Sequence, residues 1–522
     1  MTLLRVLLLL LVLSPFVARA GDDPIADLAG NYDDIRHAVD ALSVSGNARA
    51  EPVIAALQNG ALMVAADRSL WIREGDAMLD ARSGAPGSPN GPLKPVRLNN
   101  AVRRAIEAAM GNLTLFSADP AKRLKAAQSL FAQPDPAALP TLDRALAKES
   151  VAGVRRLLQQ AQAAAVLAGA DAPIPDRLAA IVVLRARGDL DASNLLASLS
   201  NQPPEVAAAA AAGVAAIARV QKLWALAQGI FYGMSLGSVL LLAAAGLAIT
   251  FGVMGVINMA HGEMVMLGAY TTFVVQQAVG AWLPGFAGAG VLFAIPLAFL
   301  VSGAVGIAIE RLLIRFLYGR PLETLLATWG LSLVLQQAVR SIFGASNRDV
   351  STPGWMSGAA EWGGVTITYN RLYIIIFAVL VLAALMAVLR ATPLGLQMRA
   401  VTQNRRMAAA MGIRTPWIDA LTFGLGSGVA GMAGVALSQI DNVSPNLGQG
   451  YIIDSFMVVV FGGVGNLWGT LVSALTLGIV NKFLEPVAGA VLGKILVLVL
   501  LILFIQRKPR GLFPLKGRAV EA

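Results

Sequence analysis

The chain has 522 residues, of which 56% are hydrophobic and only 14% charged; soluble domains carry about 25% charged residues, so the composition is that of a membrane protein. Cysteine is absent, which excludes disulfides, iron–sulfur clusters, thiolate zinc sites and cysteine nucleophiles together. The net charge of +10 would suit nucleic acid, but many basic residues gather in short loops between apolar runs. That is the positive-inside pattern, so a lipid bilayer is the expected partner and nucleic acid is not.

The chain opens with "MTLLRVLLLLLVLSPFVARA". Arg5 supplies a basic start, Val6 to Leu13 a short apolar core, and Ala18-Arg19-Ala20 a small-residue exit, so 1–20 reads as a secretory signal peptide. An uncleaved anchor is the alternative. Residues 21–218 then form a mostly helical soluble domain, expected outside the cytoplasm. Leu124, Ala127, Leu130 and Phe131 fall at helical spacing. "RLKAAQSL" at 123–130 resembles "RLAAIVVL" at 177–184, as stacked HEAT-like helix pairs would; plain helical packing reads the same way. "ALMVAADRSLWIREGD" alternates like short strands, and 83–95 is a loop. His37 reads as a surface residue.

From 219 to 522 the chain is a transmembrane domain. Candidate spans are 224–252, 259–279, 290–314, 322–344, 371–389, 416–440, 452–484 and 489–506, each near or above the roughly 20 residues needed to cross. Arg311, Arg315 and Arg320 mark one cytoplasmic loop. Arg390, Arg399, Arg405, Arg406 and Arg414 mark a second, and Arg507, Lys508, Arg510, Lys516 and Arg518 the tail. A chain that starts outside and ends inside crosses an odd number of times. The segment 452–484 is too long for one span and is interrupted by "FGGVGN", so we expect it to be broken or re-entrant, giving about seven to nine crossings.

Enzyme motifs fail. "HGE" at 261–263 is half of a zinc deaminase signature whose other half needs cysteines. "GSGVAG" at 426–431 lies in an apolar span, where close packing through Gly424 and Gly428 is the plainer reading. No phosphate-binding G-x-x-x-x-G-K-[ST] loop occurs. No catalytic set, metal site or cofactor is expected.

Two features remain. "FGVMG" at 251–255 recurs as "FGGVG" at 461–465, followed by Asn258 and Asn466 respectively. Paired glycine breaks in two halves of a membrane domain point to a transport site. Asn258 is placed to cap a helix starting at Met259, and Asn258, His261 and Glu263 either line a polar path or hold the break in shape. The second feature is the basic segment "RAVTQNRRMAAAMGI" at 399–413. Val401, Ala408 and Met411 fall on one face, as in a helix that docks in a partner's groove; a solvated orienting loop is the alternative.

"GVINMAHGEMVMLGAY", "RAVTQNRRMAAAMGI" and "VVVFGGVGNLWGTLVSALTLGI" resemble the signatures of branched-chain amino acid type permeases of ABC importers, over about 224–516. "ITFGVMGVINMAHGE", "RPLETLLATWGLSLVLQQ" and "DSFMVVVFGGVGNLWG" are similar to the urea permeases of that family, which also carry a secreted amino-terminal extension. The resemblance implies a multi-pass inner-membrane permease with a periplasmic amino-terminal domain. It also implies a second related permease subunit, two ATP-binding subunits and a periplasmic substrate-binding protein. Its coupling helix falls on 399–411, with Arg399, Val401, Arg405, Arg406, Ala408 and Met411 as coupling residues. Its Asn-x-x-His-Gly-Glu motif falls on Asn258, His261, Gly262 and Glu263. Urea needs donors and acceptors but no counter-charge, so Asn258, Thr328, Gln336 and Asn466 are suited to its path, with His261 and Glu263 shaping the break. A branched-chain amino acid substrate, or a channel working alone, are the alternatives.

Overall fold

The computed structural model describes residues 24–513, except 46, 48, 76, 90 and 170, and only the backbone at 107, 108 and 112. The expected leader, 1–20, and Lys516 and Arg518 lie outside the described residues. The chain divides into two compact units, Met1–Gln221 and Lys222–Ala522.

In the first unit, strands β1 (Leu62–Val64), β2 (Leu70–Glu74), β3 (Ala77–Asp80) and β4 (Lys94–Pro95) form an antiparallel sheet in the order β3-β2-β1-β4. Leu70 and Ile72 are buried while Trp71 between them is half-buried, the two-residue period of a strand with one face inward. Helices Tyr32–Val44, Ala50–Gln58 and Asn100–Leu115 complete this core around Leu42, Ile54, Leu57, Leu62 and Ile106.

A second core is wholly helical. Pro120–Ala132, Leu139–Lys148, Ala152–Ala168, Ile174–Arg187 and Leu190–Ala197 surround Phe131, Leu142, Leu158, Leu184 and Leu196. The two similar segments, 123–130 and 177–184, lie in helices that both pack on Ala152–Ala168. Leu124, expected in the apolar stripe, is exposed; Ala126, Ala127 and Phe131 carry the burial. Arg123 donates to both oxygens of Glu149 at 2.7 and 3.0 Å. That bond, helped by the backbone N–H of Val151 and opposed by burial, holds the Glu149 carboxyl below the usual range.

Among the described residues, six helices are long and apolar enough to cross a membrane: Pro204–Met254, whose first eighteen residues belong to the first unit, and His261–Trp282, Pro284–Phe316, Tyr369–Ala391, Thr415–Leu437 and Leu467–Arg507 in the second. This differs from the eight expected segments for physical reasons. Pro321–Phe343 is 23 residues long and turns Leu326, Trp329, Leu333 and Val334 outward, but its buried stripe of Thr324, Thr328, Ser332 and Gln336 lowers its mean hydropathy below that of the six. The segment 452–484 is divided between Leu447–Gly462 and the start of Leu467–Arg507, so the expected break is present at 463–466. The segment 489–506 belongs to the same 41-residue run, interrupted at Gly489, whose φ of 76° is non-helical. The helices approach closely through glycine. A Cβ on Gly428 would meet the Phe299 ring at 2.6 Å, and Gly426 and Gly431 face Gly246 and Ser302. "GSGVAG" is therefore a packing surface.

Candidate functional site

The polar core of the second unit is built at the first glycine break. Helix Pro204–Met254 ends where Gly255 turns left-handed (φ 67°), and its N–H closes the last turn on the Phe251 carbonyl at 3.0 Å. The next helix starts at His261, not Met259, and Asn258 does not cap it. The Asn258 side-chain oxygen instead accepts from the Ala260 N–H at 3.0 Å, a tight Asx turn before the helix. The Met259 N–H donates to Thr328 Oγ1 at 3.1 Å.

Three polar side chains follow from this turn, and all are buried. Asn258 is 0% exposed, and His261 and Glu263 are 1% exposed. His261 Nε2 lies 3.0 Å from the Ala243 carbonyl. A carbonyl only accepts, so Nε2 carries the proton and Nδ1 of the neutral ring is an acceptor. Glu263 Oε1 accepts from Ser332 Oγ and Gln336 Nε2, both at 2.8 Å. Among the described residues, Asn258 Nδ2, His261 Nδ1 and Glu263 Oε2 are buried with no hydrogen-bond partner. Such groups cost about 1–3 kcal/mol each when unsatisfied and are uncommon in a settled core.

Asn258, Glu263, Thr328 and Gln336 are thus gathered at one break beside helix Pro321–Phe343, whereas His261, two residues before Glu263 on the same helix, faces the other way, onto Ala243 of the preceding helix. Ser332 belongs with them although its sequence drew no notice. Thr324, Thr328, Ser332 and Gln336 stand at strict four-residue spacing, so they share one helix face, and that stripe was readable.

Asn466 is elsewhere. It is the N-cap of Leu467–Arg507: its Oδ1 accepts from the N–H groups of Trp468 and Gly469 at 3.1 and 3.2 Å, and its Nδ2 donates to the Phe513 carbonyl at 3.1 Å. The two breaks nevertheless touch. A Cβ on Gly252 would come within 2.6 Å of the Gly465 Cα, so each F-G-x-x-G lends a glycine to one close crossing.

The basic segment is two helices, Pro393–Gln403 and Arg405–Ala410, rather than one. Asn404 divides them: its backbone is extended and its side chain caps the second helix through the Met407 N–H at 2.9 Å. Val401 and Ala408 turn inward and pack with Ala245, Ile249, Leu385 and Ile418. Met411 does not share their face; it is 78% exposed, and the outward apolar pair is Met407 and Met411, four residues apart. Arg399 donates to the Leu389 carbonyl, and Arg406 is exposed.

Arg405 points inward. It pairs with Asp419, which is 0% exposed, and its guanidinium lies 4.7 Å from the Tyr318 ring centre. Tyr318 donates to Glu310 Oε1 at 3.2 Å. Burial pushes the Tyr318 hydroxyl up, and the charges of Asp419 and Glu310 add to it. This cluster ties the basic segment to helices Gly290–Leu312 and Thr415–Leu437. Two carboxylates inside apolar spans, Glu310 and Asp419, were its sequence signal. Among the described residues, no group of three or more potential ligands could hold a metal ion.

Comparison with known proteins places this architecture. Residues 229–505 match the family described as branched-chain amino acid transport system / permease component. The chain is 32% identical over 301 residues to the high-affinity branched-chain amino acid transport system permease protein LivH of Salmonella typhimurium, covering 55% of this chain and 94% of that protein. It is 31% identical over 290 residues to the corresponding protein BraD of Pseudomonas aeruginosa, again covering 55% and 94%. A shorter likeness, 29% over 114 residues, joins it to the ribose import permease protein RbsC of Bacillus subtilis, covering 20% of this chain and 35% of that one. No solved structure matches the chain.

Proposed function

Because the chain belongs to the family of branched-chain amino acid transport system permease components, we propose that it is the membrane-spanning permease subunit of an ATP-driven importer that carries urea or short amides. It is a multi-pass transport permease and not an enzyme, as its relatives are permease subunits. The proposed setting is the inner membrane, with 1–20 a signal peptide and 21–218 a periplasmic domain. Counting Pro321–Phe343, Leu447–Gly462 and the two sides of Gly489 separately gives nine crossings. An odd number carries the chain from outside to a basic inner tail. A periplasmic binding protein delivers substrate, a second related permease completes the pathway, and two ATP-binding subunits drive it through 399–411.

One observation carries the urea reading: unpartnered buried atoms on the Pro321–Phe343 side of the break. Asn258 Nδ2 offers a donor and Glu263 Oε2 an acceptor. An amide presents one strong carbonyl acceptor and several N–H donors, so the set is complementary to it. A zwitterionic amino acid would place its carboxylate on a cation or on free N–H groups at a helix start; Asn258, His261, Glu263, Thr328, Ser332 and Gln336 include no Lys or Arg, which favours a neutral amide. The names of the LivH and BraD relatives favour the second reading, a branched-chain amino acid.

Labelled urea uptake by the assembled transporter, competed with excess leucine or acetamide, separates the two. Saturable uptake blocked by acetamide but not by leucine is expected. No urea uptake, or competition by leucine alone, would overturn the urea assignment.

A further inference from the structure

Arg390 and Arg399, the latter at the start of the basic segment, border a cavity that the transport reading leaves unused. It has a volume of about 360 Å³ and lies between the end of helix Tyr369–Ala391, helix Pro393–Gln403 and the two glycine breaks. Its walls are mainly apolar, with Ile249, Val253, Met386 and Met398 among them, and Arg390 and Arg399 stand in its lining.

The charge here is one-sided. Among the described residues, no Asp or Glu lines the cavity and neither arginine is in an ion pair. Arg399 is held in place by its bond to the Leu389 carbonyl, which uses one of the five guanidinium donors. Trp468, 52% exposed, lies in the same lining. Tryptophan favours the membrane interface, where an apolar ring and a polar edge are both satisfied.

We propose that this cavity binds an anionic phospholipid, its phosphate against Arg390 and Arg399 and an acyl chain along the Ile249–Val253–Met386–Met398 wall. Two fixed positive charges match a net negative headgroup. A free phosphate would leave the apolar wall in contact with water, and neutral urea has no use for two guanidinium groups. Basic pockets between membrane helices on the cytoplasmic side commonly take anionic lipid headgroups. The leaflet rests on the orientation proposed above; the lipid chemistry does not. A lipid seated here touches both the basic segment and Gly252 and Gly465, where the breaks cross.

Native mass spectrometry of the full-length chain in neutral detergent tests this with defined phosphatidylglycerol, phosphatidylcholine and inorganic phosphate. The expected result is one retained phosphatidylglycerol that excess phosphatidylcholine does not displace. Arg390→Gln, at an exposed position, should weaken retention at least tenfold. Met386→Trp, which fills the slot without changing charge, should do the same. Equal retention of the two lipids by the unmodified chain overturns the proposal whatever the variants do. So does Arg390→Gln retaining lipid as tightly as the unmodified chain. Displacement of phosphatidylglycerol by inorganic phosphate would make this a free-anion site and overturn the lipid assignment.

Discussion

The two glycine breaks carry nearly the same sequence and reach different ends. Both run helix, left-handed glycine, short turn, asparagine, helix. At the second, Asn466 uses its oxygen to cap the following helix and its amide to hold the Phe513 carbonyl, so its polar groups are occupied. At the first, Asn258 is fully buried, closes a turn before the helix instead of capping it, and keeps an unpartnered amide nitrogen. A motif that bends the chain thus leaves open what its asparagine does. That is decided by the polar stripe of Pro321–Phe343 beside the first break, against the 508–513 segment beside the second.

The largest expected effect falls where the breaks meet. Gly252→Val places a branched side chain against the Gly465 backbone, which cannot rotate away as a side chain could. Overpacking of this kind costs about 1–3 kcal/mol, sometimes more. A sharp fall in monodisperse protein and a lowered melting temperature are expected by size exclusion and thermal scanning. A variant that melts with the wild type would show that the crossing is loose and that the breaks do not act as one unit.

Glu263 comes next. Glu263→Ala leaves the buried Ser332 hydroxyl without its acceptor and Gln336 with only Ser332 Oγ at 3.2 Å, at about 1–3 kcal/mol. Glu263→Gln keeps an oxygen where Oε1 is and turns only the Oε2 position into a donor, so it should melt close to the wild type. If Oε2 accepts from the substrate, urea uptake by Glu263→Gln falls at least tenfold despite normal assembly. Normal uptake by this variant would leave Glu263 a purely structural role.

A helical membrane region preceded by a mostly helical one was legible from composition and hydrophobic runs, because those depend on local pattern. Both breaks were legible for the same reason: glycine and asparagine punctuate the chain wherever they occur. Long-range placement was not. Nothing local says that Gly252 meets Gly465, more than two hundred positions away. Nor does it say that Arg405 turns inward to Asp419 while Arg406 stays in solvent. The basic segment shows the limit most clearly. Val401 and Ala408 match an outward docking face by spacing, yet Asn404 restarts the helix between them, and both serve the inner core. Part of the polar stripe was found as Thr328 and Gln336, and Ser332 was missed only because serine is unremarkable in apolar sequence.

The smallest expected effect is also the most discriminating. Asn466→Ala removes a helix cap, worth about 1 kcal/mol, and should leave urea uptake near the wild-type rate. Asn466→Asp restores an acceptor for the Trp468 and Gly469 N–H groups and should recover most of that stability, losing only the bond to Phe513. The same change at the first break has the opposite consequence. Asn258→Asp keeps the acceptor for the Ala260 N–H but replaces the unpartnered amide donor with a second acceptor beside a buried acceptor set. Aspartate should therefore rescue position 466 and fail at 258, with uptake at least tenfold down in a protein that still assembles. Equal rescue at both positions would mean that Asn258 is only a turn residue, and the two breaks would then differ in burial but not in role.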